Sequence, residues 1–349
     1  MMRNTLANDG PDGANEGANG DAAAGDGSLS LARRFRAACK QALLAMLYRC
    51  GALHLTRRLF DRKTLTVAMF HRVLPLDSEA CLYSEREYVV GVDEFDHCLR
   101  FFKRHFNVVT LEQVREARDG GRALPAHALL ISFDDGWHDN VVHAEPLLRR
   151  HGLKATLFVN VEAIEQPGRR WWQDALVEVA QHRGAALEAL GPRADFFAAA
   201  RSLIDAPLDQ RLSRLAPWSS YEPAERQMMT PESIAKIDRS VWEVGSHGLS
   251  HVPFTAVADV ATEMTESASR IGSWYRGKVD ALSFPHGRYD GAMLTIARAS
   301  GYRLVFSSDP AVNRGTRALS SVIGRVHIPS QACRSDSTLA RFLWCRQVA

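Results

Sequence analysis

The sequence predicts an α/β fold, a β/α barrel of about seven parallel strands with a helical insertion, from three observations. Its 349 residues are 46% hydrophobic and 24% charged, enough length and apolar content for a sizeable core. Beyond Lys63, short apolar runs alternate with helical patterns, as a parallel sheet covered on both faces requires. Seven or eight such units fall within about 270 residues, which suits a barrel better than an open sheet. The same composition excludes a wholly disordered, fibrous or multi-spanning membrane chain.

Taken in order, residues 1–30 are mostly Gly, Ala, Asp and Asn, with a charge balance of −4. Such a stretch buries too little apolar surface to offset the entropy of ordering it, and it reads as a disordered acidic tail. It lacks the basic start and apolar stretch of a secretory signal, so a cytoplasmic location is expected. Residues 31–63 hold nine Lys/Arg against Asp61, a balance of +8, which leaves the remaining body near −1. Phe35, Cys39, Ala42, Leu43, Met46, Cys50 and Leu53 fall on one face at helical spacing. Its longest uncharged run, Gln41 to Tyr48, is far short of the roughly 20 residues that span a bilayer. A basic amphipathic helix of this kind packs on the body, lies on anionic lipid at the inner face of a membrane, or forms a nucleic-acid arm. The near-neutral body argues against nucleic acid as a partner.

Strands are expected at 65–71, 107–110, 128–133, 155–160, 241–247, 281–285, 303–308 and 323–328. Between them, Thr110 and Gln113 form a capping box, and Thr230-Pro231 places a cap before a proline at the first helical position. Residues 163–228 break the rhythm. They are Ala-rich and helix-prone, with Trp171, Trp172 and Trp218, and read as an insertion forming a lid or rim within a domain spanning 64–335. Residues 336–349 read as a C-terminal tail. Six cysteines carry no C-x-x-C pair, so free thiols are the simplest expectation.

Three strand ends carry chemistry. SFDDG at Ser132 to Gly136 delivers adjacent carboxylates, Asp134 and Asp135, to the end of a strand where parallel β/α folds place their active sites. In isolation a D-D-G turn is only a turn. SHGLSH puts His247 and His251 four apart after another strand. If that segment is helical or tightly turned, both imidazoles reach one ion, and a carboxylate completes three protein ligands with a position left for water. SFPHGRYD follows a third strand. Pro285 stiffens the turn and Gly287 admits a close backbone, so amides near His286 could face a developing oxyanion.

In that order, SFDDG, SHGLSH and FPHG resemble the polysaccharide deacetylase family, the NodB-homology domain of carbohydrate esterase family four, over roughly residues 64–330. The resemblance implies an incomplete, distorted barrel and metal-dependent removal of acetyl groups from sugars. The FHRV segment at Phe70 to Val73 and the tryptophan-rich insertion resemble bacterial members linked to envelope or exopolysaccharide glycans. Carried over, Asp135, His247 and His251 are the ligands of a divalent metal, zinc by expectation. Asp134 is the general base for a water attacking the acetyl carbonyl, and Pro285, His286 and Gly287 hold the oxyanion. The substrate class implied is an N-acetylated glycan or glycolipid. An O-acetyl sugar, another amide, or a non-catalytic glycan-binding role are the alternatives on the same scaffold.

Three departures stand out. The arginine that opens the family's third motif is replaced by Ser283, leaving Arg72 or Arg325 to orient the base. Its usual aromatic is His286. The late Leu-x-His motif, which supplies the acid, is matched by Arg325-Val326-His327, so His327 leads as general acid, with His71 and His286 as substitutes. Trp171, Trp172 and Asp174 are either a sugar platform or part of the insertion's own core. The lipid reading of the basic helix has a direct check. Deleting 31–60 should lower flotation with anionic liposomes, and unchanged flotation would remove it.

Overall fold

The apolar runs become a mostly parallel sheet curled into a barrel, as the fold class predicted. This computed structural model describes residues 26–55, 64–166, 171–181, 199–200, 203–218, 227–311, 313–315, 319 and 321–344. Its strands are β1 (Thr64–Phe70), β2 (Arg72–Leu74), β3 (Val89–Gly91), β4 (Asn107–Val108), β5 (Ala128–Phe133), β6 (Ala155–Val159), β7 (Trp242–Ser246), β8 (Ala281–Ser283), β9 (Leu304–Phe306), β10 (Asn313–Arg314) and β11 (Val326–His327). The main path runs β1-β5-β6-β7-β8-β9, all parallel. β11 lies parallel to β1 on its other side, making seven. Three pieces were not expected. They are the separate β2–β3 pair, the antiparallel β10 at the start of β1, and the two-residue length of β11.

The segment 323–328 meets both edges of the sheet. Ile323 bridges Phe306 of β9, whereas Val326 and His327 pair with Ala68 and Met69 of β1. Because side chains alternate along a strand, one parity points inward. Leu65, Val67, Leu130, Phe158, Leu304, Phe306 and Ile323 form that interior cluster. The opposite parity, including Phe70, Ile131, Leu157 and Val244, packs against the covering helices. The expected caps are present. Thr110 accepts from the Gln113 N–H at 3.1 Å while Gln113 reaches back at 2.9 Å, and Thr230 accepts from the Ser233 N–H at 3.1 Å.

The chain divides into two units, Met1–Leu44 and Ala45–Ala349. The helix Asp26–Arg49 occupies the described part of the first and ends in the second. It therefore starts inside the stretch expected to be disordered, and residues 1–25 lie outside the described residues. Gly51, at φ +82°, breaks it after Arg49, helical residues resume over 52–55, and residues 56–63 lie outside the described residues. Among the described side chains of the expected apolar stripe, Cys39, Ala42, Leu43, Met46 and Cys50 are exposed and Leu53 is buried. Within the second unit, Tyr48 stacks on Trp344 and donates to Asp336 at 3.1 Å. Residues 336–344, expected to be a tail, are a helix with Leu339, Ala340 and Leu343 in the main core, their apolar spacing having been too short to stand out. Among the described residues no helix is long and apolar enough to cross a membrane.

Interior space is tight at Gly245 of β7. A Cβ there would lie 2.6 Å from the Phe158 ring and 3.0 Å from the Ala281 carbonyl. Gly245→Ala should cost about 1–3 kcal/mol, read as a lower urea midpoint at unchanged slope. A wild-type midpoint would show that the interior yields.

Candidate metal centre and active site

The inward parity that fills the barrel also builds its mouth. Continuing Leu130, Ser132 upward gives Asp134, Gly245 gives His247, Ala281 gives Ser283, and Ile323 gives Arg325. All four termini are buried. At the end of β5 the chain turns at once, with Asp135 at φ +75° and Gly136 at φ +92°. Asp tolerates the left-handed region better than most residues, and the turn swings the second carboxylate alongside the first. Gly136 is also required by space, since a Cβ would meet Ile164 at 2.9 Å.

SHGLSH is tightly turned, the second of the two conformations that let both imidazoles converge. The His247 amide bonds the Val159 carbonyl at 2.8 Å, Gly248 sits at φ +84° and His251 at φ +55°. Glu263, from the helix Val260–Tyr275, clamps the loop by accepting from the Leu249 and Ser250 amides at 2.9 and 3.1 Å and from Ser250 Oγ at 2.5 Å. As a result Asp135, His247 and His251 each present a ligand atom within 4.8 Å of the others, all three buried.

The donor set fits a cation. His247 Nδ1 lies 2.9 Å from the Ser283 carbonyl, which can only accept, so Nδ1 carries the proton and the Nε2 lone pair points into the site. It faces Asp135 Oδ1 at 3.5 Å, and His251 Nε2 faces the same oxygen at 3.2 Å. That oxygen is buried with no hydrogen-bond partner. Burial, followed by the neighbouring His247 and Arg211, holds the His251 pKa well below its usual value, so its ring is neutral and able to ligate. Lone pairs crowded round an orphaned carboxylate oxygen are unfavourable unless a cation lies among them.

Asp134 is treated differently. Arg325 Nη1 and Nη2 donate to its two oxygens, both at 2.7 Å, while Nη2 also reaches Ser283 Oγ at 2.7 Å. Burial alone would raise the Asp134 pKa, but the Arg325 charge and hydrogen bonds, with His247, hold it well below the usual carboxylate range. Arg325, not Arg72, therefore takes the orienting place opposite Ser283. Arg72 instead bonds Asp139 at 2.8 Å.

The cleft above is bordered by His71, Tyr88, Gln173, His286 and Arg288 as well as the two aspartates. His327 stands behind His71, ring centroids 6.0 Å apart, and does not border the cleft. Burial lowers the His71 pKa to about 4. In the FPHG turn Pro285 is buried, and the Gly287 amide donates to the Phe284 carbonyl at 2.9 Å, so that donor is used within the turn. Gly287 still needs to be glycine, because a Cβ would collide with Ser308. Trp172 is 1% exposed and covered by Arg211 in the insertion's own cluster, which excludes it as a sugar platform. Sequence reasoning missed Trp137, whose Nε1 donates to Asp135 Oδ2 at 3.0 Å. Its position directly after SFDDG was the available signal.

A family model for polysaccharide deacetylase matches residues 121–305. The Bacillus subtilis (strain 168) protein YxkH, named for polysaccharide deacetylation, is 22% identical over 184 residues, 52% of this chain and 45% of its own. The chain thus matches less than half the length of that relative. Streptococcus pyogenes deacetylase PplD, solved in complex with acetate, is 16% identical with a TM-score of 0.56, covering 81% of this chain and 99% of its own. IcaB from Ammonifex degensii is 20% identical with a TM-score of 0.56, covering 80% and 98%. At these identities the likeness to the structures is one of fold.

Arg325→Met should strand Asp134 as an unpaired buried charge and cost roughly 3–5 kcal/mol at pH 7. With the arginine gone, burial pushes the carboxyl pKa up, so the loss should shrink as pH falls toward about 4 and the proton returns. A penalty independent of pH, measured by urea unfolding, would contradict this.

Proposed function

The chain belongs to the polysaccharide deacetylase family, and we propose that it is a metal-dependent hydrolase removing N-acetyl groups from a carbohydrate, polymeric or lipid-linked. The observation that carries this is the division of labour between two adjacent carboxylates. Asp135 turns a bare oxygen toward two imidazoles, whereas Asp134 is pinned beside them by Arg325. A structural ion pair has no need of the first arrangement, and a glycan-binding site has no need of the second.

Asp135, His247 and His251 would hold the ion, and one carboxylate with two imidazoles suits zinc. When bound, such an ion polarises the acetyl carbonyl and acidifies water. Asp134 Oδ2 lies 3.8 Å from His247 Nε2, close enough to the ligands to take a proton from the attacking water. Arg325 fixes the plane of that carboxylate and keeps it charged. With Gly287 engaged, the His286 amide is the donor the FPHG turn leaves for the oxyanion. His71 borders the cleft and His327 lies 6.0 Å from it, ring to ring, so the proton for the departing amine would pass through this imidazole pair. The exposed apolar side chains Leu43 and Met46, beside the basic residues of the same helix, support attachment to an anionic membrane surface, where a lipid-linked substrate would be found.

Acetate release should be measured on paired soluble and lipid-linked N-acetylated glycans. Activity should vanish with chelator and return with zinc, and Asp134→Asn should lower kcat about a hundred- to ten-thousand-fold. Metal-loaded protein that frees no acetate, with Asp134→Asn indistinguishable from wild type, would overturn the reading.

A further inference from the structure

A second buried network adjoins the metal centre and has no part in the chemistry above. Arg72, from the FHRV segment, donates through Nε to Asp139 Oδ2 at 2.8 Å and through Nη1 to Ser84 Oγ at 2.6 Å and Asp174 Oδ2 at 3.2 Å. Its guanidinium carbon lies 3.9 Å above the Trp137 ring. Each acceptor is itself fixed. Asp139 Oδ1 also takes the Val73 amide at 3.0 Å, and Asp174 takes Gln227 Nε2 at 3.1 Å.

We infer that Arg72 and Trp137 are positioning residues that set the orientation of Asp135 and so the affinity of the metal centre, with the insertion anchoring them through Asp174. This rests on Asp135, His247 and His251 being metal ligands. A monodentate carboxylate ligand has one oxygen for the ion and one that must be held, or the group rotates away. Here Trp137 Nε1 holds Oδ2 at 3.0 Å while Oδ1 faces the imidazoles. The indole in turn is fixed on its face by Arg72 and at its edge by Trp171, ring centroids 5.5 Å apart at 69°. A cation over the ring draws density from the indole and strengthens its N–H as a donor. Only a flat guanidinium can lie on the ring and serve three acceptors at once; lysine offers a point charge. Partners of this kind behind a ligand typically govern affinity tenfold or more. Asp174 begins the chain of contacts from the insertion helix Trp172–Gln181, so the insertion reaches Asp135 from behind as well as bordering the cleft through Gln173.

Co(II) titration, followed by calorimetry and by the visible absorption of the bound ion, tests this without any substrate. Trp137→Phe keeps a ring and removes the N–H, and should weaken binding roughly 10- to 100-fold with an altered spectrum. Trp172→Phe trims the same apolar cluster without touching Asp135 and should bind as wild type does. Arg72→Lys keeps the charge, guards against a misfolded Trp137 variant, and should weaken binding by a smaller factor. Wild-type affinity in both Trp137→Phe and Arg72→Lys overturns the inference alone. A wild-type chain that takes up no Co(II) overturns the metal reading and this inference with it.

Discussion

Everything at the mouth of the barrel depends on how two adjacent carboxylates share a dry space. Side by side and buried, Asp134 and Asp135 would repel one another. Arg325 relieves that by giving Asp134 a bidentate partner of its own, 1% exposed, while the bare oxygen of Asp135 faces both imidazoles. The two aspartates differ in role because their surroundings differ, although their chemistry is the same. Ser283, the Phe158 ring beneath the guanidinium and the register of the closing segment all serve to seat that one arginine.

Much of this was legible before any coordinates. Wholly apolar runs marked the strands, and motifs at their ends marked Asp134, Asp135, His247 and His251, because period-two alternation carries a strand's inward parity directly into the site. The arginine was harder. Arg72 and Arg325 were equal candidates, as a contact spanning 191 residues leaves no local trace and β11 is only two residues long. Trp172 illustrates a different limit. Composition shows that an aromatic lies in an insertion but not whether it faces inward, and here its neighbours are Ala175, Leu176 and Leu215. The helix start at Asp26 and the docked helix at 336–344 were hidden for a related reason. Both are anchored by tertiary packing or begin in residues of low helix propensity, and neither has a strong pattern of its own.

The insertion ties two scales together. Its cluster includes Trp137 and Met228, so it packs on the loop that carries Asp135 rather than standing apart as a flap. Variation in such a segment can retune the site from behind as well as at its rim, which is one route by which a shared scaffold acquires different affinities.

The segment 323–328 closes the seam between β9 and β1 and carries Arg325. During synthesis from the N-terminus, β5 and β7 are complete while that seam is still open, and the Asp134 carboxylate remains hydrated. Its countercharge arrives with nearly the last strand to emerge. Dehydration of the mouth and completion of the barrel are thereby a single late event, and an unfinished chain holds the motifs of the site without the dry environment that gives them their chemistry.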